Sequence, residues 1–453
     1  MGVNDMGTKN FNSATNLITF TRASGGTALR KISYGNELVT NGTFNTDVSG
    51  WATNSLATLS LSSGSIRVEN NSNNLGLAYQ EIDLEAGKTY HFSANLIAIN
   101  DLLAQFTVNT STSYSTNVAG LTNSSTTGTK SFNYTPSSSG TYYIILAHRG
   151  GNIVGKYVEF DNISVKELLF DQADGTLQLF NHGNNVPRIE YDATGAVKGL
   201  LIEEARTNLI TNSNTAVWSD NSTTSIINSG VSPDGTSNAT KVVPYAYSPS
   251  VGIDRFTYAD LQSNGSGVKS STSIYLASAG YGFATVCSYT HNADRNTAVV
   301  DLSNGTITAI HTAGPAIDTF TVEPAGNNFY RVSVTHENRG YLILGVSDTG
   351  TYTPSENFGF NGAWASDGVS GILRYGLQHE IGSFPTSYIP TSGSTATRAM
   401  DLAEIPTSAF GYNNDKGSIA VEFDSNKPSS LDYGAFVLSD GSNANRILHL
   451  AVP

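Results

Sequence analysis

The sequence predicts an all-β protein of tandem β-sandwich modules, and three observations predict it. Charged residues make up only 13% of the 453 positions, against about 25% in ordinary soluble domains, so Ser, Thr, Asn and Gly carry the solubility. The 44 glycines and 10% aromatic content suit short strands and many turns, and suit helices poorly. Short alternating apolar stretches recur between turn signals along most of the chain. A chain of this length fits roughly two to four domains.

Composition also excludes partners. A net charge of -13 without any basic stripe argues against nucleic acid, because phosphate binding needs clustered Lys and Arg. The single cysteine, Cys287, precludes an internal disulfide framework. It alternates with Phe283 and Tyr289 in GFATVCSY and reads as a buried structural thiol. No apolar run approaches the roughly 18 residues of a spanning helix, so no membrane insertion is expected. The polar start MGVNDMGTKNFNSATN lacks the basic and apolar parts of a signal peptide.

Taken in order, residues 1–35 read as an N-terminal arm, aperiodic at first and then strand-like in ITFTRASGG, with Ile18, Phe20 and Arg22 on one side. Residues 36–168 form a first sandwich. Its clearest strand is TYHFSANLI, where Tyr90, Phe92, Ala94 and Leu96 face a core while His91, Ser93 and Asn95 face away. In KYVEFDNISVKEL the period-2 pattern slips across Asp161-Asn162, which predicts a β-bulge. Residues 169–210 are a connector, with a hairpin expected around the DATG turn. Residues 211–400 form a second sandwich. It has a hairpin at Ser303-Asn304-Gly305, a strand placing Tyr330, Val332 and Val334 on one face, and another placing Leu373, Tyr375 and Leu377 together. Pro385 and Pro390 mark the exit from the sheet. In residues 401–453, SIAVEFD, GAFVLSD and RILHLAVP read as three further strands, too few to close a sandwich.

Two resemblances follow from particular phrases. The first block, opening LVTNGTFN…GW and closing FDNISV, resembles the jelly-roll carbohydrate-binding modules found beside many glycosidases. That resemblance implies a structural Ca2+ between the first and last strands. Asp161 stands at the matching place, whereas Thr43 and Asn45 occupy positions where a carboxylate often stands. The last unit resembles the start of a concanavalin-like lectin sandwich, apparently incomplete at Pro453. FTRAS, GLLIEEARTNLIT, SPDGTSNATKVV and SYIPTSGSTATRAMD resemble a recurring framework of bacteriophage tail and fibre proteins. In those proteins the first two phrases lie close together; here the first module stands between them as though inserted.

The search for chemistry finds little. The eight histidines are scattered, and neither His336-Glu337 nor His379-Glu380 has a second histidine at helical spacing, so no metal ligand set is read. No nucleophile elbow, Walker or dinucleotide motif occurs. Glu203 and Glu204 are neighbours and point to opposite faces, so they cannot make the carboxylate pair of a glycosidase. Glu159 and Asp161 share a face only up to the bulge. No enzyme is expected. Trp51 and Trp218, each just after a module opening, read as core. Trp364 in the Gly-rich FGFNGAWASDG and Tyr114 in NTSTSYSTN are the candidate sugar platforms, since a flat ring covers the apolar face of a pyranose. The resemblance implies a virion tail fibre or appendage, attached through its N-terminal region to other virion proteins, homotrimeric, and displaying its modules to host-surface glycans. The rival readings are a head, neck or tail decoration protein, and a tailspike depolymerase with its catalytic part beyond Pro453.

Overall fold

The computed structural model describes residues 19–100, 103–113, 117–149, 153–192, 194–215, 218–246, 255–261, 267–289, 295–313, 319–337, 340–351 and 364–405, and the backbone of Tyr433–Ser439 and Arg446–Ala451. Every element among them is a strand, and the named strand pairs are antiparallel. The all-β class and its sandwich modules are therefore observed. The expected strand SIAVEFD lies outside the described residues. GAFVLSD and RILHLAVP contribute the hairpin Tyr433–Ser439/Arg446–Ala451.

The first sandwich packs a seven-stranded sheet on a five-stranded one. The larger runs Gly128–Tyr134, Tyr90–Ile99, Tyr157–Phe170, Gly26–Glu37, Thr176–His182, with Ser65–Asn70 and Ala57–Ser62 joining at the far end of Tyr157–Phe170. The smaller runs Ala52–Thr53, Leu77–Leu84, Gly140–Arg149, Leu103–Asn109, Asn117–Ser124. Between them lie Tyr90, Phe92, Ala94 and Leu96, as the alternation predicts, with Phe106, Phe132, Phe160, Phe44 and Trp51. The predicted bulge is present: pairing slips between Asp161 and Ser164, and Asn162 takes a φ of 51°. At the bulge, Ile163 N donates to Gly42 O at 2.9 Å. A Cβ on Gly42 would lie 2.1 Å from Ile163 O, so only glycine fits in NGT.

Two boundaries differ from the sequence reading. Gly26–Glu37 belongs to the first module's sheet and not to an arm, pairing with Tyr157–Phe170 on one side and Thr176–His182 on the other. Thr176–His182 likewise leaves the connector for the sheet. Their apolar residues are sparse because much of their length lies near the sheet's edge, so their pattern is faint in sequence. The rest of the connector holds the expected hairpin, Ile189–Tyr191 with Val197–Leu200. Its turn is tied by Asp192 Oδ1, which accepts from Thr194 N and Ala196 N at 2.8 and 2.9 Å.

The second sandwich has two six-stranded sheets. One runs Trp218–Asn221, Phe256–Asp260, Tyr341–Ser347, Phe283–Tyr289, Arg295–Asp301, Thr306–Ala313. The other runs Thr223–Gly230, Ala239–Pro244, Gly371–Ile381, Lys269–Ala279, Tyr330–Glu337, Thr319–Pro324. Val332 and Val334 enter the core, as expected. The grouping of Leu373, Tyr375 and Leu377 fails. Gly376 takes a φ of 62° and the register slips beside it, so Leu377 joins the core while Leu373 and Tyr375 stay on the outer face. That outer face is a joint. Tyr275, Tyr375, Tyr388 and Phe329 pack there with Leu179 and Leu29 of the first module. The loop of SPDGTSNAT completes the seal: Ser131 Oγ donates to Gly235 O at 2.8 Å, Gln178 Nε2 to Asp234 O at 2.6 Å, and Leu179 N to Pro233 O at 3.0 Å.

The remaining framework phrases converge on one buried ion cluster. Thr19–Thr21 pairs with Leu402–Glu404, and Arg206–Asn208 with Ala396–Arg398. Between these ribbons, Asp401 Oδ1 accepts from Arg22 Nη1 at 3.2 Å and its Oδ2 from Arg188 Nη2 at 2.5 Å and Glu203 N at 2.9 Å. Glu203 Oε2 lies 2.8 Å from Arg188 Nη2 and 3.5 Å from Arg398 Nη2, and both its oxygens accept from Ser387. Glu204 points the other way, to Arg206, which upholds the geometric objection to a catalytic pair. Arg22 and Asn185 exchange two hydrogen bonds, of 3.0 and 3.1 Å. The chain thus leaves this hub into the first module and returns to it at adjacent points.

Removing one partner of a buried pair strands the others without water. Asp401→Ala is therefore expected to cost about 3–5 kcal/mol in urea unfolding, while Lys198→Ala on the exposed pair with Glu190 changes it by less than about 0.5 kcal/mol. Equal effects would deny the hub its role.

Stability is also expected to fall on acidification. Burial, with Arg30, Arg188 and Arg22 nearby, depresses His182 from 6.5 to about 4, and burial depresses His379 to about 4. The folded state then prefers both rings neutral, so their contribution is complete above 6.5 and is lost as pH falls toward 4, by about 3 kcal/mol each at most. Burial pushes the Glu203 carboxyl up, but Arg398, Arg188 and Ser387 outweigh it and hold it below 4.5. Its share persists above 4.5 and disappears last. Urea midpoints from pH 8 to 3 check this order; a midpoint constant down to pH 4 would contradict it.

Candidate functional site

Of the positions singled out in sequence, Asp161 stands in the first module and Trp364 in the core of the second. Trp364 is only 6% exposed, correcting its reading as a surface platform. Its ring packs edge-on against Tyr281 at 4.7 Å, Arg255 lies 4.8 Å over it, and Arg255 Nη1 donates to its carbonyl at 3.0 Å. The Gly-rich wording suggested a loop; a large apolar ring in such a loop was nevertheless drawn into the core. Tyr114 lies outside the described residues. Asp161 uses both carboxylate oxygens on Asn162, accepting from its N at 2.7 Å and its Nδ2 at 2.9 Å. These bonds hold its carboxylate at the bulge. No group of three His, Cys, Asp or Glu placed to hold a metal occurs among the described residues.

His336 and His379 do meet. Their rings stack at 5.6 Å with Thr272 Oγ1 between them, 2.7 Å from His336 Nε2 and 2.9 Å from His379 Nδ1. Both are buried, so this is an interior polar contact with no route for a ligand.

The surfaces suited to binding are two sheet faces. In the first module the five-stranded sheet turns Ala78, Ile82, Ile144, Leu146, Phe106 and Val108 to the core. Its other face carries Leu77, Ile145 and Ala147 with Tyr79 and Tyr143 half-buried over them. Beside the tyrosines runs an amide ladder. Gln105 Nε2 donates to Thr107 Oγ1 at 3.0 Å and to Asn117 Oδ1 at 3.1 Å, Thr107 Oγ1 to Asn109 Oδ1 at 2.9 Å, and Arg149 Nη1 to Gln105 Oε1 at 3.2 Å. Asn109 Nδ2 holds the loop that follows by donating to Ser113 O at 2.7 Å. In the second module, the sheet containing Phe283–Tyr289 shows Phe256, Ile343 and the buried Cys287 on its outer face, with Tyr258, Tyr289 and Tyr341 half-buried there. Cys287 is thus the structural thiol expected. Burial and the neighbouring Asp260 push the Tyr341 phenol up. The amide ladder itself is buried, but half-buried tyrosines beside the exposed carboxylates Glu81 and Asp260 are groups a saccharide contact can use: ring faces cover sugar C–H surface, and a polar group accepts from hydroxyls. Sequence reasoning passed over these tyrosines because each sits in an ordinary alternating strand, with nothing to say which face is core.

No family model matches the chain, and no curated protein matches it. Among solved structures it is similar to that of the M60 catalytic domain with the CBM51-1 and CBM51-2 domains from Clostridium perfringens ZmpB, at 11% identity and a TM-score of 0.16. The match covers 69% of this chain and 34% of that one, a likeness too slight to bear on function.

Truncating Trp364 is expected to act on stability alone. Trp364→Ala should cost about 3–5 kcal/mol in thermal or urea unfolding and leave any retention on a glycan array, measured per folded molecule, as it is in the unaltered chain. Lost retention with unchanged stability would restore it as a platform.

Proposed function

We propose that this chain is a bacteriophage tail fibre or virion appendage protein that adheres to host-surface glycans without cleaving them. The observation that carries the reading is the welded arrangement of two sandwiches, each with a tyrosine-bearing sheet face outside its core. The phrases shared with phage fibre proteins supply the weld: FTRAS, GLLIEEARTNL and SYIPTSGSTATRAMD meet at Asp401, and SPDGTSNAT seals the module joint. Under this reading the N-terminal region attaches to other virion proteins, the chain trimerises, and the modules project toward the cell.

The test joins location to adhesion. Antibodies against residues 26–405 should label a tail or appendage tip by immunogold microscopy, and the purified chain should compete with the particle for adsorption to host cells. In light scattering it should weigh three times the chain's 47.9 kDa. Label confined to the head, with adsorption unaffected by excess chain, would favour the decoration role instead.

A further inference from the structure

The two outer faces carry the same constellation. In the first module Tyr79 pairs with Ile145 and Glu81 with Tyr143 across Leu77–Leu84 and Gly140–Arg149. In the second, Tyr258 pairs with Ile343 and Asp260 with Tyr341 across Phe256–Asp260 and Tyr341–Ser347. Each is a Tyr-x-acid triplet opposite a Tyr-x-Ile triplet, so all four side chains share one face. The tyrosines of each set meet edge to face, with ring centroids 5.9 Å apart at 69° for Tyr79–Tyr143 and 5.7 Å apart at 83° for Tyr258–Tyr341. The host strands hold the same places in their sheets, second and third in the order that starts at Ala52–Thr53 and at Trp218–Asn221.

Packing alone does not account for the repeat. Both constellations lie on the side of the sheet away from its core, and in both the acid is exposed while the tyrosines are half-buried. Moreover, the joint between modules uses the other sheet in each case, through Ser131 and Gln178 on one side and Tyr275 and Tyr375 on the other. The two sheets that bear the constellation are the two that take no part in this joint among the described residues.

Resting on the glycan-adhesion reading, we infer that these faces are two copies of one saccharide site, and that each chain is bivalent for an uncharged glycan. The tyrosine pair covers the C–H face of a pyranose, and the carboxylate at its edge accepts from neighbouring hydroxyls. An acidic sugar would meet Glu81 or Asp260 on a chain of net charge -13 and be repelled. The fourth and fifth strands differ between the copies: half-buried Asn117 stands on them in one, half-buried Tyr289 and Arg295 in the other, over the buried Thr107 and Asn109 or the buried Cys287. The shared half thus grips the same sugar edge, and the unshared half sets what may lie beside it.

The probe is an array of immobilised neutral hexose and N-acetylhexosamine oligosaccharides, with uronic-acid and sialylated ones alongside. The full chain should be retained on neutral spots; Tyr143→Ala or Tyr341→Ala should each lower retention at least tenfold by removing avidity, and the double variant should fall to background. Titration with the same oligosaccharide free in solution should give two sites per chain and one in each single variant. Thermal melting confirms folding, and Glu81→Gln with Asp260→Asn, both at exposed positions, repeat the test should a tyrosine variant unfold. Retention that survives the double variants, or one site per chain, overturns the duplicated site and leaves glycan adhesion standing. Preference for the acidic spots overturns the stated ligand class. No retention on any spot overturns adhesion and this inference together.

Discussion

Everything in the arrangement depends on a carboxylate that has no access to water. Asp401 takes two guanidiniums and a backbone N–H in a place where its side chain and those of Arg22 and Arg188 are fully covered. Charges so placed are tolerable only when all partners are present, because desolvation costs each ion several kcal/mol. Arg22, Arg188, Glu203, Arg398 and Asp401 come from separated stretches of chain, so partial assembly leaves a bare buried charge. Such a cluster contributes less to net stability than to uniqueness: it penalises arrangements in which one strand is missing or slipped.

That dependence constrains the residues of the cluster more tightly than those of the modules. A sandwich core accepts many apolar residues of suitable size, so TYHFSANLI and NNFYRVSVT need only keep their alternation. A buried arginine facing a buried acid has few replacements, and Lys would not supply the same planar fork. The joint loop follows the same rule: Asp234 accepts from Ser232, Thr236 and Tyr375.

What the sequence made legible was local. Alternation located the core side of Tyr90–Ile99, turn chemistry located the Asp192 hairpin, and a slip in period located the bulge at Asn162. Where it failed, the missing information was long-range. Arg22 and Asp401 lie 379 positions apart, and no local pattern marks them as partners. Gly26–Glu37 read as an arm because its partners come later in the chain. Leu377 was assigned to the wrong face because the bulge at Gly376 is carried by one left-handed residue. Tyr79, Tyr143, Tyr258 and Tyr341 were invisible as a set because period two says which residues share a face and not which face meets solvent.

The weld and the faces are connected through geometry. Two weak sugar contacts reinforce one another only if both can be made at once, and a flexible linker between them dilutes the second contact by the volume it explores. Here no linker intervenes. The first module is held at both ends of its insertion by Arg22, Asn185 and Arg188, and along its seven-stranded sheet by the Ser232–Asn238 loop. The distance between the two tyrosine faces is therefore fixed by buried ions and not by chance encounter, so that under the proposed reading a glycan surface would meet a rigid pair. The cluster at Asp401 lies apart from both tyrosine faces, yet it sets the spacing on which the proposed avidity would rest.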